Sequence, residues 1–185
     1  MHWKPRSPEV RVPYGPGEDR LYRLGDPSSR YASVRWPLDA GRGKYGEFPL
    51  VVVREHYRKL AYTVWASEPE LPDESGFILV SYPGKRRAQH SAYVRMQWIF
   101  GAPTLAKLNA AADRLKRQRA GNTGGGDPDL FVFRGQDRFF VEVKWRDQIT
   151  DKQAATFPLI ERMCNTEVRI ARIYEARAPS NDDAA

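Results

Sequence analysis

Leu50, Val53, Tyr57 and Leu60 recur at three- and four-residue spacing, one face of a helix predicted over 47–61. Pro49 fits that element only in its first turn, where its missing amide costs nothing. A short strand is predicted over 62–65, then an acidic, proline-bearing loop over 67–76 and a second apolar strand over 77–81. Leu105, Leu108, Ala112 and Leu115 give a second helix over about 103–119 with basic residues on its other face, and the glycines of 121–126 break it. Strands over 130–133 and 139–143 bracket Arg134-Gly135-Gln136-Asp137, and glycine as the first of two central residues suits a type II′ hairpin turn. That turn sets Phe133 opposite Arg138, Phe131 opposite Phe140 and Asp129 opposite Glu142. A helix over 150–164 and an alternating strand over 167–173 close the pattern.

The chain's 185 residues suggest one domain, and 41% hydrophobic with 12% aromatic residues can build a core. Half of the fourteen prolines precede residue 50, so 1–40 read as an extended Pro/Gly-rich arm. Residues 41–177 read as the single domain, with an insertion over about 66–125, and 178–185 as a disordered tail. One cysteine, Cys164, excludes a disulfide framework, and three histidines without ligand spacing argue against a zinc hydrolase. No apolar run approaches the ~20 residues of a membrane span. The first residues carry no Sec-type signal pattern. The expectation is a soluble chain of a reducing compartment, cytoplasmic or delivered into a target cell by a non-Sec route.

Thirty Lys and Arg against 23 Asp and Glu give a net charge of +7, which favours a polyanionic partner. The excess is concentrated. Lys85, Arg86, Arg87, Arg95, Lys107, Arg114, Lys116, Arg117 and Arg119 face only Asp113 as an acid between 85 and 119. Lys85, Arg86, Arg87, Arg114 and Arg117, with Arg146 and Lys152 as a second route, are the expected nucleic-acid contacts.

Two carboxylates opposed across a hairpin repel, so Asp129 against Glu142 calls for a counter-ion. A divalent cation held by oxygen ligands supplies one. Lys144 lies two residues beyond Glu142 on the same strand face, placed to orient a bound water or stabilise charge on a phosphate. Pro128-Asp129, with Glu142-Val143-Lys144 ending an apolar strand, resembles the PD-(D/E)XK nuclease superfamily. With residues 149–153 and 168–173 added, the set resembles the VRR-NUC family (virus-type replication-repair nucleases) over about 125–174.

The resemblance implies an α/β, restriction-endonuclease-like core: a central mixed sheet flanked by helices, here with an inserted basic helical segment and the N-terminal arm. It implies Mg²⁺ or Mn²⁺ held by Asp129, Glu142 and the Val143 carbonyl, with Lys144 assisting hydrolysis of a DNA phosphodiester. The expected substrate is branched, flapped or otherwise structured DNA of the kind met in repair. One family branch consists of DNA-degrading toxins, which would bring an immunity protein as partner, and a non-catalytic nucleic-acid-binding module is the alternative from another class. A further acid is expected on the first core helix, Glu47 ahead of Glu55. Gln153 has two readings: a residue near the site by resemblance, and the last member of a Thr150-Asp151-Lys152-Gln153 capping box.

Overall fold

The computed structural model describes residues 3–34, 47–67, 76–80, 89–118 and 126–177. Its centre is the apolar hairpin. Strands β3 (Leu130–Arg134) and β4 (Asp137–Lys144) pair antiparallel, with Phe131 opposite Phe140 and Phe133 opposite Arg138, the register that the turn chemistry predicts. Gly135 turns the chain at φ 60°, and Gln136 stays out of the left-handed region, as a type II′ turn requires. Strand β2 (Thr63–Ala66) extends the sheet antiparallel to β3, while β5 (Val168–Glu175) runs parallel to β4. Strand β1 (Val10–Tyr14) then pairs parallel with β5, giving a five-stranded mixed sheet of order β1-β5-β4-β3-β2.

Helices cover both faces. On one lie α1 (Glu18–Leu24) and α2 (Glu47–Lys59), whose Tyr22, Phe48, Val51, Val52 and Tyr57 pack on Val132, Phe139, Val141 and Ile173. On the other lie α3 (Ser91–Phe100), α4 (Ala102–Gln118) and α5 (Asp151–Cys164), packed on Phe131, Phe140 and Val168. Helix α5 is the crossover that lets β4 and β5 run parallel. Because side chains alternate along β4, Phe139, Val141 and Val143 face α2, and Phe140, Glu142 and Lys144 face α5. No helix among the described residues is long and apolar enough to cross a membrane.

Several elements differ from the sequence pattern. The α2 core face is Phe48, Val51, Val52, Val53 and Tyr57, and Leu60 is 49% exposed. The helix ends at Lys59 and Ala61 takes φ 61°, which turns position 60 off the buried stripe. Residues 77–80 are buried without forming a strand. Gly76 forms an isolated bridge with Ala66, whose carbonyl accepts the Phe77 amide at 2.9 Å, and the Asp127 carboxylate accepts the Leu79 and Val80 amides at 3.0 and 2.7 Å in place of ladder partners. The segment expected as an arm contributes β1, and Trp3 anchors it by donating to the buried Glu161 at 3.1 Å. The 66–125 stretch holds α3, absent from the pattern because its N-cap is His90, whose Nδ1 accepts the Ala92 amide. With α4 this helix builds one layer of the core. The expected acidic loop lies mostly, and the expected tail wholly, outside the described residues.

Candidate active site

The C-terminal end of β4 brings the chemistry together. Pro128 is buried beneath the start of β3, and the Asp129 carbonyl accepts the Ser67 amide at 2.8 Å, which fixes Asp129 one residue before the ladder begins. Its carboxylate turns back to β4 and accepts the Val143 amide at 2.7 Å. Across the hairpin, Glu142 and Lys144 are 2% and 3% exposed. The Lys144 ammonium lies 2.9 Å from Glu142 Oε1 and 2.7 Å from Asp147 Oδ2.

Gln153 forms the capping box and also meets Glu142 and Lys144. Thr150 and Gln153 form the reciprocal capping box that starts α5: the Gln153 amide donates to Thr150 Oγ1 at 3.3 Å and the Thr150 amide to Gln153 Oε1 at 3.0 Å. The same side chain donates through Nε2 to Glu142 Oε1 and accepts from Lys144 Nζ at 3.3 Å. Helix initiation and site orientation therefore use one residue. Glu142 Oε1 is doubly held, whereas Glu142 Oε2 is buried with no hydrogen-bond partner among the described residues. A buried carboxylate oxygen left unpartnered costs stability unless something positive meets it.

The electrostatics carry the same signature. Burial, then the charge of Asp129, pushes the Glu142 carboxyl well above the usual carboxylate range, and Lys144 only partly offsets this. Asp129 keeps some exposure at the mouth of the site. Even so, the packing around its carboxyl raises it above its ordinary value against the opposing pull of the Val143 amide and Lys144. Burial works against the Lys144 ammonium, but Asp147 and Glu142 outweigh it and hold its pKa above the ordinary lysine value. Asp147 is opposed by burial too, yet Lys144 and the Trp145 amide keep it below the usual range. Sequence reasoning missed Asp147. The available signal was Lys144 itself, a lysine in an apolar strand that needs counter-charges once buried.

A cleft of about 370 Å³ opens at this point, lined by Pro49 and Leu50 of α2 with Asp129, Val143, Trp145, Arg146 and Asp147. Glu47 is the first residue of α2, two positions before Pro49; its side chain lies outside the described residues. Glu55, the competing acid, pairs with Arg58 at 3.2 Å farther along the helix. Trp145 forms one wall, with Arg23 and the exposed Arg146 each over its ring at 5.3 and 5.0 Å.

The expected basic contacts divide. Lys85, Arg86 and Arg87 lie outside the described residues. Arg114 and Arg117 are exposed on α4, and Lys152 lines a separate cavity beside α5. Other members of the basic stretch serve the fold: Arg95 donates to the Gly76 carbonyl at 2.6 Å and Lys116 to the Val80 carbonyl at 2.9 Å.

Among the described residues, no group of three or more His, Cys, Asp or Glu side chains is arranged to hold a metal ion. Asp129 and Glu142 form a pair of acids, with the unpartnered Glu142 oxygen the atom that a cation would satisfy. Compared with protein-family models, with curated proteins and with solved structures, the chain finds no match.

Proposed function

We propose that this chain is a divalent-metal-dependent DNA nuclease with a restriction-endonuclease-like core similar to the VRR-NUC family, acting on branched, flapped or otherwise structured DNA. One observation carries the reading: Asp129 and Glu142 converge beside Lys144, and a buried oxygen of Glu142 lacks a partner among the described residues. Opposed carboxylates destabilise a fold that has no use for them. Asp129, Glu142 and the Val143 carbonyl would hold Mg²⁺ or Mn²⁺, with Glu47 as the further acid. Bound there, the cation supplies Lewis acidity and lowers the pKa of its water.

The remaining work falls to this chain's own side chains. Gln153 pins Glu142 Oε1 and so directs Oε2 toward the ligand position. Asp147 holds the Lys144 ammonium at 2.7 Å and would keep the lysine charged beside a phosphate with a cation on Glu142. Arg146 at the cleft rim and the exposed Arg114 and Arg117 offer positive charge to the DNA backbone.

The test is cleavage of flapped and branched DNA with Mg²⁺, with Mn²⁺ and with EDTA. Cleavage should need the metal and vanish in Asp129→Asn and Glu142→Gln, both still folded by circular dichroism. Full activity in either variant, or in EDTA, would overturn the assignment.

A further inference from the structure

A second cavity, of about 400 Å³, is lined by residues of α4, α5 and the 77–80 run, with Gly126. Its walls divide by chemistry. Val80, Ala112, Leu115 and Ala155 make an apolar side, and Lys116, Lys152, Asp151 and Thr156 a polar one. Its size falls within the roughly 300–1,000 Å³ of small-molecule sites, which pair apolar walls with a few convergent polar groups.

Two ammonium groups share this space. Lys116 is tied to the Val80 carbonyl at 2.9 Å and lies 4.0 Å from Asp113. Lys152 makes no ion pair with any described acid, and burial together with the charge of Lys116 lowers its pKa. Asp113 lies beside Lys116 and Asp151 lines the same cavity, but neither pairs with Lys152, so an anion that meets both ammonium groups is favoured there. Gly126 shapes the corner: a Cβ there would come within 2.9 Å of Thr156 Oγ1, so glycine lets the backbone close against α5.

The placement identifies the ligand. Lys152 and Gln153 are neighbours on α5, one lining this cavity and the other bonded to Glu142, with Cα atoms about 3.8 Å apart. We infer that the cavity takes one nucleotide unit of the substrate strand next to the scissile phosphate, its phosphate held by Lys116 and Lys152 and its base against Val80, Ala112, Leu115 and Ala155. The identity of the strand rests on the nuclease reading, while the nucleotide chemistry rests on the cavity. An apolar wall beside paired ammonium groups fits a base joined to a phosphate better than a bare anion.

The experiment uses the full chain carrying Asp129→Asn, with a fluorescent single-stranded oligonucleotide followed by anisotropy across a salt series. Lys152→Gln should weaken binding several-fold and flatten the slope of log affinity against log salt by about 0.7, one phosphate on a single strand. Lys152→Arg should restore both. Ala155→Leu keeps both charges and fills the cavity, so it should weaken binding without changing the slope. Thymidine monophosphate should compete for the oligonucleotide at concentrations where inorganic phosphate does not.

Unchanged affinity and slope in Lys152→Gln and Ala155→Leu overturn the inference, as do absent oligonucleotide binding and equal competition by phosphate. The two readings fail separately. Metal-dependent cleavage by the parent chain with an indifferent Lys152 removes the cavity assignment alone. Nucleotide binding that depends on Lys152 and Ala155, without cleavage under any divalent cation, keeps the cavity and removes the nuclease.

Discussion

Replacing Asp129 by Asn should stabilise the protein without metal and abolish its response to metal. In the parent chain the Asp129 carboxylate accepts the Val143 amide at 2.7 Å and adds its charge to the burden on Glu142, whose Oε2 is buried without a partner among the described residues. Asparagine has the same shape: its carbonyl oxygen can keep the Val143 bond, and its amide can donate to the Glu142 oxygen. One repulsion becomes one hydrogen bond to a charged group, worth about 1.5–3 kcal/mol. For a chain of this length each kcal/mol moves Tm by about 2–4 °C, so Tm should rise by about 3–12 °C in EDTA.

Metal reverses the order. A cation bound only by the folded parent at 100 times its Kd adds about 2.7 kcal/mol, or about 5–11 °C, and the variant should show little of it. Differential scanning calorimetry at pH 8 in EDTA, Mg²⁺ and Mn²⁺ measures all six values. A variant less stable than the parent in EDTA that keeps the metal shift would refute the reasoning, because Asp129 would then be a structural acceptor and nothing more.

Lys144→Ala should lower turnover on DNA far more than affinity for it, because an ammonium beside the phosphate acts mainly in the transition state; single-turnover kinetics with a binding titration separates the two. Glu47→Gln should cost more cleavage than Glu55→Gln, since α2 begins beside the cleft and Glu55 is paired with Arg58, and parallel rate measurements decide it. Gln153→Ala removes half of a capping box and the partner of Glu142, so it should cost about 1–3 kcal/mol in urea denaturation, whereas Asp151→Ala should cost less than half of that. Without metal, stability should fall as pH rises above the ordinary carboxylate range. Asp129 and Glu142 have raised folded-state pKa values, so in that window the unfolded chain releases protons that the folded one retains. Denaturant midpoints from pH 4 to pH 9 measure the slope, which should be flatter in Asp129→Asn.

The hairpin was legible because its register follows from local chemistry. Glycine at 135 selects the turn, the turn selects the pairing, and Phe131 opposite Phe140 follows. Helix α5 was legible for the same reason, its capping box lying within four residues of sequence. Residues 77–80 were misread as a strand because an apolar run reports burial and not the partner of its backbone. That partner is the Asp127 carboxylate, 47 residues away from Val80 in sequence. Strand β1 was hidden by the prolines around it: Pro13 sits within an edge strand, where a missing amide is tolerated, and its pairing with β5 spans most of the chain. The apolar pattern of α2 runs on to Leu60 because nothing in it marks the left-handed turn at Ala61.

At the candidate site, alternation placed Glu142 and Lys144 on one face, and turn register placed Asp129 opposite. What the pattern did not supply was the way in which the charges are shared. Lys144 is too buried to stand as a free cation, and Glu142 is one of its counter-charges. Asp147, three residues on and partly exposed, changes that balance by offering the ammonium a second acceptor at 2.7 Å. With two acceptors, one can be given up at little cost. On the nuclease reading, Glu142 would meet the cation while Asp147 keeps Lys144 charged. On the same reading, the pair alone would hold either a lysine or a metal, and the pair with Asp147 and Gln153 would hold both. Asp147→Asn should therefore weaken the metal-induced rise in Tm while leaving Tm in EDTA nearly unchanged, because Glu142 still holds Lys144 when no metal competes. A metal response equal to that of the parent would mean that Lys144 leaves Glu142 without help, and that Asp147 only decorates the rim of the cleft.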